Sequence, residues 1–126
     1  MSIKIYPDEP ALIPIKYESN PLAPYSKDYT DIQNILICVK NEPGEDDDSL
    51  LIKYYKDQSD QLTGDVLLDE STNTFTLVKT ENDSLPINSK GYRIFIGVTV
   101  AGLSKKLWLR VAKDQRIIVE EDGILS

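Results

Sequence analysis

The sequence predicts an all-β fold, an antiparallel β-sandwich of about seven short strands with an extended N-terminal arm. The first observation is the segment from Tyr92 to Val100, in which every second residue is apolar, as in a half-buried strand. The second is the regular spacing of turn signals after Thr30. The third is the opening segment, which holds most of the prolines and cannot form a regular central strand.

The residues around Tyr92 narrow the fold class. Tyr92 opens the long strand, and Pro86, Asn88 and Gly91 supply a bend before it. A tyrosine at such a corner is typical of immunoglobulin-like sandwiches, although β-propensity alone also places tyrosines at strand starts. We therefore predict an immunoglobulin-like antiparallel β-sandwich over residues 30–126, with Tyr92 as a residue that defines the fold.

The first half of this domain contains one clear strand and one ambiguous segment. Residues 31–40 are apolar on both faces, which indicates a central strand. Cys38 lies inside this run, so we expect a buried, unpaired cysteine. In residues 49–56, Asp48 or Ser49 could cap a short helix, but the isoleucine and tyrosines there favour a strand.

The second half contains the remaining strands. Residues 64–69 and 74–79 indicate two strands around a turn, and residues 101–104 indicate a hairpin into 105–111. A last strand is expected over residues 116–120. Trp108 falls on the opposite face from Leu107 and Leu109, and we predict that it packs partly exposed, either filling that face or serving as a contact residue.

Residues 1–29 are predicted to form the extended docking arm. The apolar content is too high for a solvated tail, so the arm should pack on its own domain or on a neighbouring subunit. A first edge strand with a long connection is the alternative, and Pro14 would confine that strand to an edge. A PxxP ligand at residues 21–24 is a third reading. The residues expected to dock on a partner are Tyr6, Ile13, Ile15, Tyr17 and Tyr25.

The composition narrows the classes of function. The chain has no histidine, which excludes Ser-His and Cys-His nucleophile pairs and histidine-ligated zinc. The net charge is -7 and no basic stripe is visible, so nucleic acid is not an expected partner. No apolar run is long enough to span a bilayer, and the first residues lack the apolar core of a signal peptide.

Carboxylates are the side chains that could still bind a metal ion or act as catalytic acids and bases. The acidic cluster at residues 45–48 offers Asp46 and Asp48 as calcium ligands, but the spaced ligand pattern of a calcium loop is absent, which favours a solvated loop. We therefore expect neither a metal nor a cofactor. A hydrolase that uses two carboxylates as acid and base would draw on these candidates: Asp65, Asp69, Glu70, Asp83, Glu120 and Glu121.

The order of strands and turns resembles the small immunoglobulin-like modules of tailed-phage virions. It is similar to the N-terminal module of upper-baseplate proteins over residues 30–121, through the strand at 31–40, the acidic turn, the Tyr92 corner and the strand at 107–111. The resemblance implies a non-catalytic building block that docks on a larger symmetric assembly. The proline-rich and tyrosine-rich opening segment departs from the baseplate module and favours a head location.

The expected function is therefore that of a structural virion protein, made in the host cytoplasm. We expect a capsid auxiliary or decoration protein whose partners are major capsid or tail subunits, with copies arranged by particle symmetry. Acidic loops would keep free subunits soluble and meet basic patches on a partner. The alternatives are a tail or baseplate adaptor and, in another class, a carbohydrate-binding module, for which exposed tyrosines and Trp108 would have to line one surface.

Overall fold

Two β-sheets pack face to face in the computed structural model, which describes residues 3–41, 50–111 and 115–120. Within that part of the chain there are nine strands and two single-turn 3₁₀ helices, at Ala23–Tyr25 and Tyr29–Asp31. The strands are β1 (Ile3–Ile5), β2 (Ala11–Lys16), β3 (Ile32–Lys40), β4 (Leu51–Tyr54), β5 (Val66–Asp69), β6 (Thr74–Lys79), β7 (Asn88–Val100), β8 (Leu107–Leu109) and β9 (Arg116–Val119).

The larger sheet has the strand order β1-β9-β7-β3-β4, with β8 also paired to β7, and the smaller sheet has the order β2-β6-β5. β8 and β9 lie one after the other along the same strand, since β8 pairs with Ile96 to Val98 and β9 with the first part of β7. The pairs are antiparallel except for β1 with β9.

This order is that of an immunoglobulin-like sandwich. In the standard lettering, the smaller sheet corresponds to strands B, E and D, and β9, β7, β3 and β4 correspond to G, F, C and C′. β1 adds to the larger sheet beside β9, parallel to it. The predicted all-β sandwich is thus confirmed.

The core lies between the sheets and follows the period-two pattern of each strand. On the smaller sheet Phe75 and Leu77 are fully buried, and on the larger sheet Ile37, Ile96 and Val98 are fully buried. The alternation predicted for β7 is confirmed, because all five apolar residues of its inner face, Tyr92 to Val100, are buried. The ambiguous segment is the strand β4, which pairs with β3.

The tyrosine corner is present at the start of β7. Tyr92 is buried, and its phenol oxygen donates a hydrogen bond of 2.6 Å to the carbonyl oxygen of Pro86. Gly91 has a φ of 93°, and a Cβ atom at this position would lie 2.9 Å from the Cβ of Arg116. Glycine is therefore required immediately before Tyr92, both by backbone conformation and by the close approach of β9.

The prediction that residues 1–29 form an arm separate from the sandwich is wrong. β1 pairs with β9, β2 pairs with β6 along its whole length, and Ile13 and Ile15 are buried in the core between the sheets. Pro14 sits opposite Thr76 on an edge strand, where the missing N–H group costs no ladder hydrogen bond. The alternative of a first edge strand is therefore the correct one, and the domain begins near Ile3 rather than at residue 30.

No helix in residues 3–41, 50–111 or 115–120 has the length and apolarity needed to cross a membrane.

Candidate docking surface

One face of the larger sheet points away from the core and carries an unusual set of side chains. Because inward residues alternate with outward ones, Val39 and Ile96 face the core while Lys40 and Gly97 face outward. We call this surface the outer face. Its residues are Leu36, Cys38, Lys40, Ile52, Tyr54, Arg93, Phe95, Gly97, Trp108, Arg116 and Ile118.

One row of the outer face joins its two most exposed aromatic residues. The register pairs Tyr54 with Leu36, Leu36 with Gly97, and Gly97 with Trp108, so these residues lie side by side across four strands. A Cβ atom on Gly97 would lie 3.1 Å from the Trp108 ring, which therefore rests directly on the glycine. Tyr54 and Trp108 remain 49% and 55% exposed, so the prediction that Trp108 packs partly exposed is confirmed.

A second row is apolar and lies beside the first. Ile52 pairs with Cys38, and Cys38 pairs with Phe95. Cys38 is buried, as predicted, but it lies outside the core cluster, which places it beneath the side chains of the outer face rather than between the sheets. Ile52 is 46% exposed, so the outer face presents aliphatic as well as aromatic surface to its surroundings.

The outer face is also basic. Lys40 pairs in register with Arg93, and Arg93 pairs with Arg116, which gives three cations side by side on β3, β7 and β9. The Lys40 ammonium lies 5.3 Å from the centroid of the Phe95 ring, and that of Lys106 lies 5.7 Å from the Trp108 ring. None of the six strands of the larger sheet contains an aspartate or a glutamate.

A groove of about 490 Å³ adjoins the outer face at β4. Tyr54 and Ile52 form its apolar side, and Asp57 and Asp65 lie on its polar side. The Asn34 amide fixes this region, because its nitrogen donates to the Lys56 carbonyl at 3.1 Å and its oxygen accepts from the Lys56 N–H at 2.9 Å. The groove is therefore held to β3 by side-chain hydrogen bonds to backbone groups.

The docking residues predicted in the opening segment are largely unavailable to a partner. Ile13 and Ile15 are core residues, and Tyr17 packs edge-on against Phe75 with the ring centroids 5.6 Å apart. The physical reason is that their strand completes the smaller sheet and needs its apolar face for the core. Tyr6 is partly buried, and only Tyr25, at 49% exposed, presents much of its ring to solvent.

Two of the candidate carboxylates meet at one cation. The Lys53 ammonium lies 2.8 Å from Asp83 and 3.8 Å from Asp65, and its side chain is largely buried. Burial acts to raise the pKa of Asp83, but hydrogen bonds from Lys53 and Thr80 outweigh it and hold the pKa below its usual value. Both carboxylates thus serve to neutralise an inward-pointing lysine on an edge strand.

The other candidate carboxylates do not join them. Asp69 accepts hydrogen bonds from Ser71, which lower the pKa of its carboxyl, and Glu120 lies 3.6 Å from the Lys4 ammonium. Glu121, Asp46 and Asp48 lie outside the described residues. Among the residues that the structure describes, no group of three or more acidic or cysteine side chains is placed to hold a metal ion.

Sequence reasoning missed the outer face as a site. The signal was present in β7, where Arg93 and Phe95 alternate with core residues, and in the absence of carboxylates from residues 32–40 and 88–100. This pattern indicates a surface only when the register of β3, β7 and β9 is known, because the register places their outward side chains next to each other.

A scan of the chain against protein-family models finds no match, and a search of curated proteins finds no related sequence. Fold and surface chemistry therefore carry the functional argument.

Proposed function

We propose that this chain is a non-catalytic structural protein that docks on a larger assembly through the outer face. The observation that carries the proposal is the pair of cross-strand rows, in which Ile52, Tyr54 and Trp108 stay about half exposed on a well-packed sheet. Large apolar side chains clustered on one surface mark interaction sites, because their burial against a partner is favourable. Tryptophan, tyrosine and arginine are enriched among the residues that contribute most to such interfaces.

The assembly we propose is the virion of a tailed phage. The support is the resemblance of residues 30–121 to immunoglobulin-like virion modules, together with a fold whose order matches an immunoglobulin-like sandwich. The partners would be other virion proteins, either major capsid subunits, as for an auxiliary or decoration protein, or tail subunits, as for a baseplate adaptor.

The main support for placing this chain on the phage head no longer holds. It rested on an opening segment that reaches across neighbouring subunits, whereas β1 and β2 complete the chain's own sheets. Removing that segment would expose Phe75 and Leu77, so a chain lacking residues 1–29 is expected to unfold rather than to remain a folded monomer that cannot assemble. Docking is assigned instead to the outer face, which suits a head or a tail position equally.

Quantitative mass spectrometry of density-purified particles tests the proposal. We expect the chain in the particle fraction at a copy number that is a multiple of the local symmetry. Gold labelling of the chain on heads or on tails then separates the decoration protein from the adaptor. A chain found only in the soluble fraction, with particles of normal composition, would contradict the virion role.

Carbohydrate binding is the second candidate, and one observation favours it. Tyr54 and Trp108 are both exposed and lie in one row of a single face, as a flat sugar-binding surface requires. A glycan array screened with the native chain and with Tyr54→Ala tests it, with Tyr25→Ala as a control, because the two tyrosines are equally exposed. Glycan binding lost only in Tyr54→Ala would support this function, and an array without binding would exclude it.

A further inference from the structure

The cation row of the outer face consists of Lys40, Arg93 and Arg116, and its first two members lie opposite each other without a neutralising carboxylate among the described residues. Lys40, Arg93 and Arg116 occupy directly opposed positions on three neighbouring strands. Like charges that lie opposite each other across a strand pair destabilise a sheet. Repulsion between like charges lowers the stability of the folded chain, and such a loss of stability is retained where a binding surface requires the charges.

No carboxylate within the described residues neutralises the first two members of the row. Neither Lys40 nor Arg93 forms an ion pair there, and the charged contact of Lys40 is with the ring of Phe95. The strands of the larger sheet supply cations and no anions, although the chain as a whole has a net charge of -7. The outer face thus combines Lys40, Arg93 and Arg116 with the exposed side chains of Ile52, Tyr54 and Trp108.

We propose that the partner of the outer face is an acidic protein surface with an apolar centre. Its carboxylates would meet Lys40 and Arg93, and its apolar side chains would cover Ile52, Phe95 and the edge of the Trp108 ring. This inference rests on the proposed docking function and names the chemistry of the partner. Binding would offset the repulsion within the row, because carboxylates of the partner would replace water around the cations.

The same charges argue against two other occupants. A symmetric pair of this chain, joined through the outer face, would place the cation rows of both copies in one interface without any carboxylate from the strands of the larger sheet. A nucleic acid would meet aliphatic Leu36 between the aromatic rings and Ile52 beside them, on a chain whose net charge repels phosphates. An acidic protein surface satisfies both the cations and the apolar rows.

The first part of the test measures the stability of the native chain alone. Arg93→Gln removes the central charge of the row, so we expect the melting temperature to rise by about 1–4 °C. Arg93→Lys keeps the charge and is expected to give no such rise. Lys16→Gln is the matched control, because Lys16 is an exposed lysine on the smaller sheet that faces the neutral Thr74. A lower melting temperature for Arg93→Gln would contradict the unfavourable row.

The second part measures binding of defined probes by fluorescence anisotropy. A labelled peptide of alternating glutamate and phenylalanine should bind the native chain and Lys16→Gln, and should bind Arg93→Gln about tenfold more weakly. The same peptide with glutamine in place of glutamate should not bind. Equal binding of the two peptides, no binding of the acidic one, or tighter binding of a twelve-residue oligothymidylate would overturn the proposal.

Sedimentation velocity tests whether a second copy of this chain occupies the outer face. Self-association of the native chain that is lost in Arg93→Gln would assign the outer face to a second copy and overturn the acidic partner. Because these measurements use the isolated chain, their failure leaves the docking role to be judged by the composition of purified particles. A chain absent from particles that still binds the acidic peptide would count against the virion role alone.

Discussion

The phenol of Tyr92 reaches back six residues to donate a hydrogen bond of 2.6 Å to the carbonyl oxygen of Pro86. The bond closes the corner that leads into β7, the strand at the centre of the larger sheet. Burial of the ring also raises the pKa of the phenol, which favours the neutral form that donates this hydrogen bond.

Replacing Tyr92 with Phe keeps the buried ring and removes the hydrogen bond. We expect the free energy of unfolding to fall by about 1–2 kcal/mol, because the Pro86 carbonyl loses its donor. Urea unfolding at neutral pH measures this loss. Tyr25→Phe is the control, since Tyr25 is half exposed and its substitution should change stability by less than about 0.5 kcal/mol. Equal stability of Tyr92→Phe and the native chain would contradict the role of the corner.

The Asp83 ion pair predicts a dependence of stability on acid. Its carboxyl has a pKa below the usual value in the folded chain and an ordinary one, about 3.9, when unfolded. The stabilisation is therefore present above the unfolded pKa and is lost as the pH falls through the folded pKa.

Asp83→Asn tests this dependence. We expect a loss of about 1–3 kcal/mol at pH 7, because the ammonium of Lys53 would keep only the more distant Asp65 among its described ion-pair partners. The difference between the variant and the native chain should narrow below about pH 4, where the carboxylate of the unfolded chain becomes protonated, and should disappear as the pH falls through the lower folded pKa. Urea unfolding at several pH values measures both quantities, and a difference that stays constant down to pH 2 would contradict the assignment.

Tyr17 is expected to make the stability of the chain depend on pH in the alkaline range. Burial, and then the nearby Tyr29, raise the pKa of its phenol, and its oxygen is buried without a hydrogen-bond partner among the described residues. The neutral phenol is favoured in the folded chain, so this contribution to stability is present below the unfolded pKa of about 10 and is lost as the pH rises towards the folded value.

Tyr17→Phe removes the unpaired hydroxyl and should raise the free energy of unfolding by about 1 kcal/mol at pH 7. It should also make the decline above pH 10 less steep. Tyr29→Phe is the contrasting variant, since the Tyr29 hydroxyl donates to the Asn73 oxygen at 2.8 Å and its loss should lower stability. Urea unfolding from pH 7 to 11 compares the variants. A less stable Tyr17→Phe would show that the hydroxyl has a partner in solution.

Local patterns predicted most strands, because each strand carries its own periodicity. The run at 31–40 became β3, and the alternation after Tyr92 became the buried face of β7. The opening segment was misassigned because Pro14 rules out a central strand but is compatible with an edge strand, and sequence alone does not distinguish an edge strand from an arm. The partner of β1 is β9, at the other end of the chain, and no local pattern predicts such a pairing.

The outer face depends on strand register more than on composition. Trp108 was predicted to be partly exposed, but its position over Gly97 and in one row with Tyr54 follows from three separate strand pairings. The juxtaposition of Lys40 with Arg93 has the same origin. A shift of one residue in any pairing would send these side chains to the other face, so the individual residues were visible in the sequence whereas the surface was not.

Site-specific photo-crosslinking in the native assembly tests whether the outer face docks on a partner, as we propose. A benzophenone amino acid is placed at Tyr54 or, as the matched control, at the equally exposed Tyr25. We predict that the probe at position 54 forms a crosslink to another polypeptide of the assembly and that the probe at position 25 does not. Crosslinks from position 25 alone, or equal crosslinking from both positions, would show that the outer face is not the docking surface.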